Sequence, residues 1–193
     1  MASFLHKAAI AAAATLALSA AHAADASYAL DHSFAFGPGS YGTVELTQDG
    51  GSVDVLVTLA SGFQFVKTGN HDSFTFNISG ASGYTVTGID PAQFSWFQPS
   101  ANPAFGSFTD GLECGACGNG GAGAFNSVLS FSVDGVTLAN FTKNGAGYIF
   151  SADIIGQGIT GAVAAVPEPE TYALMLAGLA AVGFMARRRK VIA

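Results

Sequence analysis

Between roughly residues 24 and 155 the chain carries apolar side chains at every second position, and few folds tolerate that period. Val53, Val55, Val57 and Leu59 fall on one face, with Asp54 and Thr58 on the other. Phe74, Phe76 and Ile78 alternate with Ser73, Thr75, Asn77 and Ser79, and Leu129, Phe131 and Val133 alternate with Ser130, Ser132 and Asp134. Side chains of a strand point to opposite faces in turn, so this period marks half-buried strands. Leu56 interrupts the first run, which implies burial on both faces there. Tyr84 with Val86, the stretch 147–155, and runs starting near Tyr28 and Tyr41 supply further strands.

Turn chemistry separates these runs: Gly37-Pro38-Gly39, Asp49-Gly50-Gly51, Ser61-Gly62, Asn102-Pro103, Asp134-Gly135 and Asn144-Gly145. A helical period of more than about two turns is absent, a short stretch at Asp90-Pro91-Ala92-Gln93-Phe94 excepted. Roughly eight to ten short strands at this spacing predict an all-β domain, a jelly-roll-like β-sandwich, over residues 24–155. Residues 156–165 are small and Gly/Ala-rich, which predicts a linker.

Charge is scarce and unevenly placed. Only 10% of the 193 residues are charged, while phenylalanine supplies 16 and glycine 25. Five of the seven basic residues sit at the chain ends; Lys67 and Lys143 alone face eleven acids in the middle once Glu168 and Glu170 are set apart, a net charge near −9. Such a surface cannot neutralise phosphates, which argues against nucleic acid as a partner. It is also repelled by anionic polysaccharide unless divalent cations bridge the two.

Both ends are apolar. Residues 1–23 hold a basic Lys7, an apolar run from Ala8 to Leu18 and the small-residue pattern Ala21-His22-Ala23. These features predict a signal peptide removed after Ala23 by signal peptidase, so that the mature chain folds outside the cytoplasm where disulfides persist. At the other end, residues 166–190 run from Val166-Pro167-Glu168-Pro169 through an uncharged stretch, Thr171 to Ala186, to Arg187, Arg188, Arg189 and Lys190. As a helix the uncharged part is about 24 Å long, somewhat short of a roughly 30 Å hydrocarbon core, and snorkelling Arg stems can extend it into a transmembrane helix. The basic run places its end in the cytoplasm, so Pro167-Glu168-Pro169 faces the exported side.

This three-part tail resembles the PEP-CTERM sorting signal of Gram-negative bacteria, with Pro167, Glu168 and Pro169 as the name-giving residues. The resemblance implies processing by an exosortase, an integral-membrane cysteine transpeptidase-like enzyme associated with exopolysaccharide production. It also implies a transient stay in the inner membrane before the cell surface. Blocks of the middle, Asn70 to Asn77, Cys114 to Gly121 and Phe150 to Ile154, resemble a recurrent set of secreted PEP-CTERM proteins, for which no activity follows.

Candidate chemistry is thin. Cys114 and Cys117 form a C-x-x-C in a Gly-rich loop. The βαβ context of a thioredoxin-type site is missing, and no second ligand pair stands near for zinc; His32 and His71 are isolated in sequence. A local disulfide is the reading that remains, contributing about 2 kcal/mol by loop closure. Hydrolase, P-loop and metalloprotease motifs are lacking. A glycosidase pair could be drawn from Asp72, Asp90, Asp110, Glu113 or Asp134, but spacing selects no two of them. Asp49 to Asp54 and Asp110 to Glu113 are oxygen-rich, yet neither has the spacing of an EF-hand loop, so no metal or cofactor is assigned. The expectation is a non-catalytic structural or adhesive protein of the surface or extracellular matrix. The alternatives are a carbohydrate-binding module, with Trp96, Phe97 and Tyr84 as an aromatic platform and exopolysaccharide as partner, and a secreted hydrolase.

Overall fold

The computed structural model describes residues 24–117 and 122–166. The signal-cleavage residues Ala21 and Ala23, the motif Pro167, Glu168 and Pro169, the apolar segment after it, and Arg187, Arg188, Arg189 and Lys190 lie outside the described residues.

The described residues hold fourteen strands and a single helical element, a 3-10 turn at Leu138–Asn140. The first sheet takes β1 (Ala26–Ala29), β3 (Gly42–Asp49), β4 (Ser52–Leu59), β12 (Val128–Asp134) and β7 (Thr85–Asp90), in the order β1-β3-β4-β12-β7. The second takes β2 (His32–Ser33), β14 (Ile159–Ala165), β13 (Phe150–Gly156), β6 (Phe74–Phe76), β11 (Asp110–Cys114) and β8 (Phe94–Phe97), in the order β2-β14-β13-β6-β11-β8. A short β5 (Phe63–Phe65) pairs with the far half of β13, end to end with β6. All pairings are antiparallel.

Alternation decides which faces meet. Val53, Val55, Val57 and Leu59 are buried, and so are Leu129, Phe131 and Val133 on the neighbouring β12. Opposite them lie Phe74, Phe76, Phe150 and Ile154 of the second sheet. Phe131 bridges the layers, its ring centroid 6.1 Å from that of Phe74 and 5.3 Å from that of Phe76. Tyr28 does the same against Phe150 at 5.3 Å. Phenylalanine is frequent because two sheet faces must be filled across one gap, and aromatic pairs add a specific edge or stacked contact to the burial.

Three features depart from the sequence reading. Leu56 is not doubly buried: it lies on the outer face of the first sheet and is 38% exposed. The chain does not follow a jelly roll, which would cross between sheets at nearly every step; the tight turns at Gly50-Gly51 and Gln157-Gly158 keep β3 with β4 and β13 with β14.

The third correction concerns residues 156–165, expected as a linker. They hold the last residue of β13 and all of β14, the latter with neighbours on both sides. Their small side chains are a packing requirement. A Cβ on Gly156 would lie 2.2 Å from the Phe63 ring, and one on Gly161 would lie 2.4 Å from Cβ of Ala35. Ala162 and Ala164 lie beneath Phe105 and Phe108 in a second small core. The domain therefore runs to Ala165 rather than ending at 155.

That second core exists because a hairpin, β9 (Ser100–Asn102) with β10 (Gly106–Phe108), folds over the outer face of the second sheet. Asn144 pins it: Nδ2 donates to the carbonyls of Phe105 and Ser107 at 3.0 and 3.1 Å, while Oδ1 accepts from the backbone of Ala146 and Tyr148.

Candidate functional site

Polar side chains trapped between strands form two clusters, and each aromatic residue singled out in the sequence can be placed against them. The first cluster closes the open side of the sandwich, where edge strands β7 and β8 approach. Asp110 is fully buried. Trp96, opposite Leu112 in the β8–β11 register, turns to the same face as Asp110 and donates Nε1 to Oδ1 at 2.9 Å. Gln98 donates to the same oxygen at 2.6 Å. The Tyr84 and Thr109 hydroxyls donate to Oδ2 at 2.8 and 2.7 Å. Burial, with the Asp110 carboxylate beside it, pushes the Tyr84 phenol up to about 12.

Tyr84 and Trp96 are thus brought together, with ring centroids 6.5 Å apart. Their polar edges are turned inward to Asp110, and both rings are half-buried. Phe97 points to the opposite face of the sheet, over Gly111.

The second cluster lies under the β9–β10 hairpin. Asp153 of β13 is fully buried. Its Oδ2 accepts from the Thr68 amide at 2.5 Å and the Thr68 hydroxyl at 2.6 Å, and its own amide donates to the Ser73 carbonyl at 3.1 Å. The loop 68–73 is therefore tied at both ends to this one residue. Burial raises the Asp153 carboxyl to about 7, against the opposing pull of the Thr68 donors. Oδ1 of Asp153, Nδ2 of Asn102 and Nδ1 of His71 are buried with no partner. Burial also holds the His71 imidazole below its ordinary value. Next to them Asp72 accepts from the Ser100 hydroxyl and the Ala101 amide, both at 2.8 Å.

The other sequence candidates are dispersed. Glu113 pairs with Lys67 at 2.5 Å. Asp134 accepts from Ser52 and Thr87 at 2.8 and 2.9 Å on the outer face of the first sheet. Asp90 is exposed at the end of β7. Of the acids considered for a glycosidase pair, Asp72, Asp110, Glu113 and Asp134 thus have separate partners. Among the described residues no group of three or more His, Cys, Asp or Glu is placed to hold a metal ion. Cys114, the last residue of β11, and Cys117 are disulfide-bonded, with Cα atoms 5.2 Å apart.

One aromatic group escaped the sequence reading. Phe34 is 76% exposed and stacks on the buried Phe105 at 5.3 Å; Phe105 meets Tyr148 edge-on at 4.8 Å, and Tyr148 meets His32 at 6.0 Å. Alternation could not have found it, since Phe34 follows a two-residue strand.

The remaining feature is the chain's exit. β14 ends at Ala165, and Val166 leads at once into Pro167. Residues 165–190 match the family model of the PEP-CTERM protein-sorting motif. The chain carries a PEP-CTERM sorting motif. The motif covers a small C-terminal part of the chain and implies export, a membrane-anchored C-terminal sorting signal and processing by an exosortase. The first residue of the PEP-CTERM match, Ala165, is also the last residue of a buried strand. No curated protein and no solved structure matches the chain.

Proposed function

We propose that this protein is a non-catalytic, structural or adhesive component of the cell surface or extracellular matrix. In this reading a signal peptide is removed after Ala23, and the apolar helix holds the chain in the inner membrane until an exosortase acts at Pro167-Glu168-Pro169. The PEP-CTERM motif directly following an acidic β-sandwich carries the reading. The internal commitments of Asp110, Glu113, Asp134 and Asp72 support a non-catalytic role, because these carboxylates act as hydrogen-bond acceptors and an ion-pair partner within the fold. Intact-mass analysis of the protein from its native host tests it. A mature chain from Ala24 to the region of Pro167–Pro169, recovered at the surface, is the expected result. A chain retaining its tail through Ala193 in the inner membrane would overturn it.

A second reading is carbohydrate binding, and Phe34 favours it. A ring 76% exposed yet fixed by stacking on Phe105 is a pre-ordered apolar platform of the kind sugars use. On this reading glycan binding falls in Phe34→Ala and survives in Trp96→Phe. The reverse pattern would return the site to Trp96.

A further inference from the structure

Exosortase processing, as proposed above, needs access to Pro167-Glu168-Pro169, and the fold restricts that access. Enzymes acting on a peptide bond hold the chain extended over several residues to either side of it. Here the residues before the motif are already held by the domain itself. Val163, Ala164 and Ala165 are fully buried. Along one edge they pair with Ala152, Ser151 and Phe150 of β13, and along the other Val163 and Ala164 pair with Ser33 and His32 of β2. The Ile149 amide donates to the Ala165 carbonyl at 3.2 Å, and the Ser33 hydroxyl donates to the Ala162 carbonyl at 3.1 Å. From Ala165 to Glu168 a fully extended chain covers only about 10 Å, which is the farthest the motif can lie from the edge of the folded sheet.

The last two residues of the strand are the ones that can leave. Ala164, in the second small core, and Ala165, in the main core, each bury a single methyl group, whereas Val163 before them buries a branched side chain in the main core. On the outer edge Ala164 pairs with the end of β2, which is two residues long, and Ala165 lies beyond that pairing. Strand ends open locally far below the cost of global unfolding, and short pairing with small side chains lowers that cost further.

We propose that the C-terminal end of β14 is a latch on exosortase processing: Ala164 and Ala165 must leave the sheet before the motif can be engaged, so the fold of the domain sets the processing rate. This rests on the sorting reading given above.

The test is a pulse–chase of the full chain in its native host, following loss of the tail by mass. Four chains are compared: native, a six-residue Gly/Ser insertion after Val166, Ser33→Ala, and both changes together. The insertion is expected to speed processing at least fivefold, because the motif then reaches the enzyme with β14 closed. Ser33→Ala, which loosens β2 from Ala162, is expected to speed the native-length chain about threefold and to leave the inserted chain unchanged. Equal rates in the native and inserted chains would overturn the latch and leave sorting intact. Acceleration by Ser33→Ala to the same degree in both backgrounds would also overturn it. No processing of either chain would overturn the sorting reading and the latch with it.

Discussion

Asp153→Asn isolates the physics of one buried carboxyl. The Asp153 carboxyl stands at about 7 in the folded protein because it is fully buried with one oxygen unpartnered. In the unfolded chain it returns to about 3.9. Between those values the native state holds a proton that the unfolded state has released. Stability from this group is complete below about pH 4 and is lost as pH rises through 7. Each pKa unit is about 1.4 kcal/mol, so from pH 5 to pH 8 the group costs the fold roughly 2–3 kcal/mol. Asparagine keeps an acceptor for the Thr68 amide and hydroxyl and has no charge to bury.

The assay is urea unfolding of the full chain in detergent micelles at pH 5 and pH 8, followed through Trp96, the sole tryptophan. Wild type is expected to lose roughly 2–3 kcal/mol more than Asp153→Asn across this interval. His71, whose depressed value gives the opposite slope, is present in both proteins and cancels in the comparison. Equal pH slopes in the two proteins would refute the assignment.

Other substitutions probe different parts of the fold by urea unfolding followed through circular dichroism, which does not depend on Trp96. Asp110→Ala strands the donors of Trp96, Gln98, Tyr84 and Thr109 around a cavity and is expected to cost about 3 kcal/mol or more, whereas Trp96→Phe removes one of those bonds and costs about 1 kcal/mol. Gly161→Ala drives a methyl group against Ala35 and Phe36 and is expected to destabilise by about 1–3 kcal/mol; a neutral result would mean that this stretch is as free as a linker. Replacing both Cys114 and Cys117 with serine opens only a short loop, so a loss of about 2 kcal/mol with an unchanged fold by circular dichroism is expected.

The two facing sheets were legible because their residues differ strongly from one position to the next. Val53, Val55 and Val57 against Asp54 and Thr58 state their own orientation, as Phe131 does between Ser130 and Ser132. β14 was not legible for the complementary reason. Thr160, Gly161, Ala162, Val163, Ala164 and Ala165 offer little contrast, and what demands their smallness, Ala35, Phe36, Phe105 and Phe108, lies far away in sequence. A local signal did exist: Gln157 and Gly158 both adopt positive φ in a two-residue turn between paired Gly156 and Ile159, a hairpin pattern. Tyr84 and Trp96 could be nominated from the sequence as aromatic neighbours. Only the register of β8 on β11 shows that both point to Asp110, and nothing local marks that acid out from Asp134 or Asp90.

The pairing of β2 with β14 joins His32 to Ala164, across almost the whole domain. Contacts so distant in sequence close late and slow folding. The second sheet thus waits for its own last strand. β13 can meet β5 and β6 on the far side, but the edge that receives β14 stays open until residue 165 has arrived. The sandwich is therefore completed only by the residues directly before the sorting motif, so the last strand of the fold and the start of the motif fall at the same point in the chain.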